Sequence, residues 1–274
     1  MDKALANLKK EELLTRLIKL DSLLIAFSGG IDSTFLLSMA HQALPGKILA
    51  ATATSSIHPP WEIIHASKFT HKKGIPHIFF TSEEMSHTNF VVNGPDRCYH
   101  CKKELFRSLY QIAAKNNLAH ISHGANLDDL NDYRPGFKAA SEFRVIAPLL
   151  DSRITKAEIR FLSKEMGLDN WNKPALPCFA TRIPYGDPIT PDKLRMIRDA
   201  ELFILQKGVK EVRVRHHNDI ARIEVRPSEL NIIMKDNLRN KILLRFRELG
   251  FKYISLDLEG YYSGKMNSSL DITT

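Results

Sequence analysis

The sequence has few cysteines and tryptophans and no long apolar run, and each shortage excludes a class of protein. It contains three cysteines and two tryptophans among 274 residues. No apolar stretch reaches the about 20 residues that a membrane-spanning helix needs, so we expect no membrane partner. The opening residues alternate charged and apolar side chains, as in a packing helix and unlike a secretory signal. An odd cysteine count without such a signal argues against a disulfide framework and predicts a cytoplasmic location.

An acidic excess is also absent. The chain carries 39 Lys and Arg against 31 Asp and Glu, which gives a net charge of +8. A basic balance suits an anionic partner, either a nucleotide or a nucleic acid. The basic residues are dispersed, however, and are not interleaved with aromatic residues as on many single-strand-binding surfaces. We therefore expect a small-molecule nucleotide substrate and no nucleic acid.

Short apolar runs alternate with helical patterns through the first part of the chain. The runs that we interpret as buried strands are 22–27, 47–54, 76–81, 118–124 and 145–150. The stretches with the spacing of helices are 4–19, 33–44, 60–74, 101–117 and 155–167. This alternation predicts an α/β fold with a parallel sheet covered on both faces. The ligand crevice of such a sheet lies at the carboxyl ends of its strands.

The pattern changes after a proline-rich stretch, 169–191, which carries Cys178. Beyond it we predict a helix, a β-hairpin turning at Asn218 and Asp219, a second helix and a strand, at 192–208, 209–226, 237–250 and 252–258. We therefore expect a nucleotide domain over residues 1–175 and a smaller C-terminal α+β domain over residues 176–274.

The first predicted strand runs into the sequence AFSGGIDSTFL, Ala26–Leu36. A strand, a glycine-rich turn and a helix N-terminus together present backbone N–H groups to an anion. The alternative is an ordinary tight turn with a Ser or Asp cap. Because the turn has no Gly-Lys-Ser/Thr, it is not a Walker A loop. The residues that we assign to nucleotide binding are Ser28, Gly29, Gly30, Asp32 and Ser33.

The cysteines form one close pair and one distant member. Cys98 and Cys101 are three residues apart at a predicted helix start, and Cys178 follows 77 residues later. They could be three unrelated buried cysteines, or the pair could serve redox chemistry. A zinc site would have to recruit His100 as its fourth ligand. A [4Fe–4S] cluster held by three thiolates is a further possibility, because it leaves one iron open to bind a sulfide or a substrate.

Two further sets of polar residues are candidates for the site. Asp128 and Asp129 follow a predicted strand and could hold Mg²⁺, or they could cap a helix or lie in a solvated loop. Arg134 and Arg182 could neutralise the charge of a phosphate or an acyl-adenylate.

The predicted hairpin carries three arginines on one face. Strand periodicity places Arg213 and Arg215 together, with Arg222 on the partner strand. Arginine binds phosphate in a bidentate fork, so this face could bind a substrate phosphate. The alternative is an exposed face of cross-strand charge pairs.

The SGGIDS stretch resembles the PP-loop of the ATP pyrophosphatase family, whose fold is that of the adenine nucleotide alpha hydrolases. This resemblance implies cleavage between the α- and β-phosphates of ATP, adenylation of a substrate, and use of Mg²⁺. Asp32, Arg134 and Arg182 would then act in catalysis.

Four later motifs narrow the resemblance to the LarE family of ATP-dependent sulfur transferases, which act in nickel-pincer nucleotide biosynthesis. They are GANLDDLNDYRPG, NWNKPALPCFATRIPYG, VRVRHHNDIARIE and LDLEGYYSGKMN, in that order. The substrate implied is pyridinium-3,5-biscarboxylic acid mononucleotide, one carboxylate of which is adenylated and becomes a thiocarboxylate. Cys178 matches the cysteine that some members sacrifice as the sulfur source.

Two additional cysteines set this sequence apart from the sacrificial pattern. Because it has Cys98 and Cys101 in addition to Cys178, the sequence resembles the branch that binds a [4Fe–4S] cluster. This resemblance implies catalytic use of a cluster-bound sulfide. We further expect a sulfur donor as a partner and a homo-oligomeric assembly.

Two other functions compete with this interpretation. A PP-loop tRNA thiolase shares the adenylation and could use three cysteines and a cluster, but it needs a nucleic-acid surface. A nucleotide-responsive binding or assembly protein would hold ATP without turnover. Release of pyrophosphate with a small carboxylate would eliminate the second function, and tight, salt-dependent tRNA binding would favour the first.

Overall fold

The structure is a computed structural model that describes residues 1–131, 133–174, 176–262 and 265. The sequence motifs extend beyond this range at Asp132, Ala175, Ser263, Gly264, Met266 and Asn267, which lie outside the described residues. No helix of the described part is long and apolar enough to cross a membrane.

The chain forms two compact units, which are Met1–Glu84 with Asp96–Leu176, and Met85–Pro95 with Pro177–Thr274. In chain order, the helices and strands up to the end of the first unit are α1 Lys3–Ile18, β1 Leu23–Ala26, α2 Ile31–Ala43, β2 Ile48–Thr54, α3 Pro60–Lys73, β3 His77–Thr81, α4 Thr88–Val91, α5 Arg97–Lys115, β4 His120–Ser122, α6 Gly136–Glu142, α7 Pro148–Asp151 and α8 Lys156–Glu165. The remaining elements are α9 Pro191–Leu205, β5 Val212–His217, β6 Ile220–Val225, α10 Leu230–Ile233, α11 Asp236–Leu249 and β7 Tyr253–Leu256. Short 3₁₀ turns occupy Glu84–Ser86, Leu127–Asn131, Phe179–Arg182 and Pro227–Glu229.

The first unit contains a parallel four-stranded sheet in the order β3-β2-β1-β4. Alternate residues of β1 point to opposite faces of the sheet. Leu23 and Ile25 join a core with α1, α2 and α8, whereas Leu24 joins a second core with α5 and α6. The predicted α/β class with a parallel sheet covered on both faces is therefore confirmed.

Two local predictions need correction. Residues 145–150 were expected to form a strand, but only Ile146 bridges to Ser122, and Pro148 begins α7. Proline favours the first turn of a helix because its fixed φ suits the helix and its missing N–H is not needed there. Helix α5 begins at Arg97, so it includes both cysteines of the close pair, whereas the helical pattern was predicted from residue 101.

The second unit contains a three-stranded sheet in the order β5-β6-β7. Strands β5 and β6 form the predicted antiparallel hairpin, and β7 pairs with β6 in parallel. Helices α9 and α11 supply much of the core on one face of this sheet. The segment Met85–Pro95 joins this unit through Asn93, whose amide donates hydrogen bonds to the carbonyl oxygens of Pro184 and Asp187.

A half-buried imidazole makes the first unit sensitive to acid. His77 lies between Thr52 and Thr70, with each ring nitrogen 2.8 Å from a hydroxyl. Burial lowers its pKa from 6.5 to about 4. Between these two pH values the unfolded chain binds a proton that the folded chain does not, so this contribution to stability is full above about pH 6.5 and falls as the pH drops towards 4.

We therefore expect His77→Gln to flatten the dependence of the free energy of unfolding on pH between about pH 6.5 and 4. Urea unfolding of both proteins across this range measures it. His71→Gln, which changes an exposed histidine of α3, is the matched control and should keep the wild-type slope. An unchanged slope in His77→Gln would contradict the assignment.

Candidate active site

The turn between β1 and α2 is folded around two glycines. Gly29 has a φ of +75°, which glycine adopts at no steric cost, and Gly30 precedes the first helical residue. A Cβ at position 29 would lie 3.2 Å from the carbonyl oxygen of Glu62 and 3.3 Å from Cβ of Ala66. The backbone conformation and the close approach of α3 therefore both require glycine at this position.

Two serine hydroxyls line the same turn. The Oγ atoms of Ser28 and Ser33 are 3.1 Å apart, and Ser33 Oγ donates to the carbonyl oxygen of Gly30. Ser28 Oγ accepts from the N–H of Gly30 at 3.3 Å. Hydroxyl and backbone donors thus converge at the N-terminus of α2, where the helix dipole favours an anion.

Gly124 brings the end of β4 against this turn, a feature that sequence reasoning missed. A Cβ at Gly124 would lie only 3.0 Å from the backbone N of Ser33. The close approach places the loop after β4, with its aspartates, beside the N-terminus of α2.

Asp32 is paired with a lysine that sequence reasoning did not identify. Lys156 Nζ lies 2.5 Å from Asp32 Oδ2. The other carboxylate oxygen, Oδ1, is buried and accepts no hydrogen bond from the described residues. Burial raises the pKa of Asp32, and the Lys156 ammonium opposes this rise. Thr155 and Glu158 form a capping box at the start of α8, which fixes Lys156 in the first turn. This TKAE box was the only local signal for Lys156.

The predicted acidic pair lies in the same place. Asp128 Oδ2 accepts from the backbone N–H of Lys156 at 2.6 Å. Asp129 lies 2.8 Å from an Arg134 guanidinium nitrogen, and its charge also raises the pKa of Asp32. The structure therefore brings Asp32, Asp128, Asp129 and Arg134 together around Lys156.

These carboxylates have the chemistry that Mg²⁺ prefers. Within the described part of the first unit, no three His, Cys, Asp or Glu side chains are arranged to hold a metal ion by themselves. Mg²⁺ commonly takes only one or two carboxylates and completes its shell with water and substrate phosphates. Asp32 Oδ1 offers a buried oxygen that fits this mode of binding.

The cysteines divide between the two units. Cys98 is exposed and Cys101 half-buried in the first turn of α5, in the first unit. This turn lies at the carboxyl-terminal edge of the sheet, because α5 runs antiparallel to β4, which follows it. Cys178 is half-buried in the second unit and precedes the 3₁₀ turn Phe179–Arg182. All three cysteines are described, and none forms a disulfide.

Arg182 is fully buried and bonded within its own unit. Its Nε and Nη2 lie 2.8 and 3.0 Å from the two carboxylate oxygens of Glu201. Its Nη1 donates to the carbonyl oxygens of Pro177 and Cys178. Every guanidinium nitrogen of Arg182 is therefore hydrogen-bonded within its own unit, and two of these bonds reach the segment that carries Cys178.

The hairpin arginines lie on one face, as their register requires. Arg213 is opposite Glu224 and Arg215 is opposite Arg222. Arg213 is 1% exposed, and its guanidinium lies 4.4 Å from the ring centroid of Tyr261. Burial, with the nearby Arg182 guanidinium, lowers the pKa of Arg213.

Glu224 links the other two arginines of this face. Arg215 and Arg222 approach its two carboxylate oxygens at 2.8 and 3.0 Å. Arg215 also donates to the carbonyl oxygen of Thr181. Arg222 is the most exposed of the three arginines, with 37% of its side chain accessible.

Comparison with known proteins gives several relatives along nearly the whole chain, although no family model matches. An uncharacterised protein of Synechocystis is 40% identical over 92% of this chain and 94% of its own length. The pyridinium-3,5-bisthiocarboxylic acid mononucleotide synthase of Lactiplantibacillus plantarum is 37% identical over 96% of this chain and 95% of its own. A glutamine-hydrolysing GMP synthase of Aeropyrum pernix is more distant, at 24% identity over 66% of this chain and 39% of its own.

Proposed function

The chain belongs to the family of the Lactiplantibacillus plantarum pyridinium-3,5-bisthiocarboxylic acid mononucleotide synthase, and on this basis we propose that it is an ATP-dependent sulfur transferase. It converts a carboxylate of pyridinium-3,5-biscarboxylic acid mononucleotide into a thiocarboxylate. The observation that carries the proposal is the glycine turn with Asp32 and Lys156 beside it, in a chain that matches this relative over 96% of its length.

The first step is adenylation. A substrate carboxylate oxygen attacks the α-phosphorus of ATP, the bond to the bridging oxygen breaks, and pyrophosphate leaves. The turn at Ser28–Ser33 binds the leaving pyrophosphate through backbone N–H groups, and Lys156 neutralises part of its charge. Asp32 holds Lys156 in place before the nucleotide binds. Bound Mg²⁺, held by Asp32, would supply further charge neutralisation on the phosphates.

The second step exchanges oxygen for sulfur. A sulfur nucleophile attacks the carbonyl carbon of the acyl-adenylate, and AMP leaves. We assign the sulfide to a [4Fe–4S] cluster, for which the thiolates of Cys98, Cys101 and Cys178 would be the ligands. Arg182 positions Cys178 through the two carbonyl oxygens that it binds, and Glu201 neutralises the buried guanidinium.

The second unit binds the substrate phosphate in this proposal. Arg222 has the most accessible side chain of the three arginines on the hairpin face, whereas the side chains of Arg213 and Arg215 are buried. Glu224 pairs with both Arg215 and Arg222 through one carboxylate oxygen each, and Arg222 also lies 3.5 Å from Asp257, so a bound phosphate would replace ion pairs that Arg222 already makes. The Arg222 guanidinium would donate charged hydrogen bonds to a phosphate there.

We expect Arg222→Gln to raise the KM for the mononucleotide about tenfold, because a charged hydrogen bond to phosphate is lost. The KM for ATP should be unchanged. Arg226→Gln, which changes an arginine of similar exposure that pairs with Glu211, is the matched control. Initial rates of pyrophosphate release with each substrate varied in turn provide both values. Equal changes in the two variants would reject the role of Arg222.

Pyrophosphate release tests the proposed function itself. Purified protein is incubated with ATP, Mg²⁺ and the mononucleotide, and then with ATP alone. Release that requires the mononucleotide supports adenylation of its carboxylate. Tight ATP binding without release would favour a non-catalytic nucleotide-binding protein, and release that requires tRNA would favour a tRNA thiolase.

A further inference from the structure

Asn170 lies in the loop after α8 and reaches back to the phosphate-binding turn. Its Nδ2 is 3.3 Å from the carbonyl oxygen of Gly29 and 2.9 Å from Thr34 Oγ1. We propose that Asn170 is a positioning residue that fixes the Gly29–Gly30 peptide in the orientation that binds pyrophosphate. The inference rests on the proposed function, because it assigns Asn170 to the same adenylating site.

The geometry of the peptide bond explains how one side chain can set the loop. In a planar trans peptide, the carbonyl oxygen and the following N–H point in opposite directions. A hydrogen bond that holds the Gly29 carbonyl oxygen therefore turns the Gly30 N–H to the other side. That N–H faces Ser28 Oγ, on the side where the serine hydroxyls converge. Gly29 has wide conformational freedom, so an external contact has to select this orientation.

Asn170 also orders the second glycine carbonyl. Thr34 Oγ1 accepts from Asn170 and donates to the carbonyl oxygen of Gly30 at 2.9 Å. The amide therefore holds one glycine carbonyl directly and the other through a hydroxyl. The peptide groups that contain the Gly29 and Gly30 carbonyl oxygens are therefore both held in orientation by side chains of the first unit.

The carbonyl oxygen of the Asn170 amide makes no comparable contact. Asn170 Oδ1 is buried and accepts no hydrogen bond from the residues that the structure describes. A buried acceptor without a partner destabilises the fold. The two bonds that Nδ2 donates are therefore what holds this amide in place.

The loop that carries Asn170 is itself anchored. Arg160 donates to the carbonyl oxygens of Trp171 and Lys173, at 3.2 and 3.1 Å. Lys173 forms a largely buried ion pair of 2.7 Å with Glu62, whose carbonyl oxygen abuts Gly29. The loop that carries the Asn170 amide is thus held by Arg160 and by the ion pair of Lys173 with Glu62, as a positioning group requires.

The test compares binding of ATP, pyrophosphate and AMP, each titrated calorimetrically with Mg²⁺ and without the carboxylate substrate. Asn170→Asp keeps the shape of the side chain and removes both N–H donors, and Asn170→Ala removes the donors without adding charge. We expect each variant to raise the Kd of ATP and of pyrophosphate about tenfold. The Kd of AMP should stay within twofold of wild type, because AMP lacks the leaving pyrophosphate. Thr34→Val should behave as the Asn170 variants do, and Thr34→Ser should retain wild-type binding.

Asn116→Asp is the matched control, since this exposed asparagine also donates its amide to a backbone carbonyl oxygen, at the far end of α5. A Kd of ATP within twofold of wild type in both Asn170 variants overturns the inference. Equal weakening of ATP, pyrophosphate and AMP also overturns it, because that result indicates a structural role. Wild-type protein that binds neither ATP nor pyrophosphate rejects the site and the inference together. Wild-type protein that binds ATP without releasing pyrophosphate rejects the proposed function alone, and the inference is then decided by the binding data.

Discussion

Replacing Lys156 by methionine is expected to lower the rate of pyrophosphate release by a factor on the order of 10²–10³, the usual effect of removing one group that stabilises developing charge. Lys156 Nζ lies 2.5 Å from Asp32 Oδ2, beside the turn to which we assign pyrophosphate binding. Initial rates of pyrophosphate release at saturating ATP and mononucleotide measure the effect. Lys47→Met, which changes an exposed lysine at the opposite edge of the sheet, should retain the wild-type rate.

A second variant tests whether lost stability alone explains the lost activity. Lys156→Met leaves the partly buried Asp32 carboxylate without its ammonium partner, and a charge with low exposure and no compensating partner is destabilising. The double variant Lys156→Met with Asp32→Asn removes that charge. We expect it to recover thermal stability while its activity stays low. Recovery of activity together with stability would show that Lys156 acts only as a structural partner of Asp32.

Replacing Cys178 by serine is expected to abolish thiocarboxylate formation while leaving pyrophosphate release near the wild-type rate. The reason is that Cys178 is assigned to the second step, whereas the groups of the first step surround Asp32 in the first unit. Thiocarboxylate and pyrophosphate are quantified from the same anaerobic reaction. Loss of both products in a folded Cys178→Ser variant would contradict the division into two steps.

The same cysteine distinguishes the two possible sulfur sources. If a [4Fe–4S] cluster is the source, anaerobically reconstituted wild type contains iron and sulfide, Cys101→Ala loses them, and the mass of the Cys178 peptide is unchanged after turnover. If the sulfur comes from Cys178 itself, that peptide loses the mass of H₂S. Reconstituted protein without iron would reject the cluster.

The sequence was informative wherever the signal is local. The strand that ends before Ser28, the glycine pair and the following helical pattern predict the turn as it is found, because each step rests on neighbouring residues. The hairpin around Asn218 and Asp219 was predicted for the same reason.

The pairing of Lys156 with Asp32 and the contact of Asn170 with Gly29 were missed because they join residues 124 and 141 positions apart. Strand alternation correctly placed Arg213 and Arg215 on one face, but it contains no information on what covers that face. In the structure Arg215 is bonded to Thr181 and Glu224. Burial of this kind depends on packing between elements, which periodicity within one strand does not encode.

We propose that this chain adenylates a pyridinium carboxylate and replaces one of its oxygens with sulfur. The most direct measurement is mass spectrometry of the mononucleotide after anaerobic incubation with the purified protein, ATP and Mg²⁺, with AMP and pyrophosphate quantified alongside. We expect a product in which sulfur has replaced one carboxylate oxygen, formed together with equal amounts of AMP and pyrophosphate. An unchanged mononucleotide, or hydrolysis of ATP to ADP and phosphate, would contradict it.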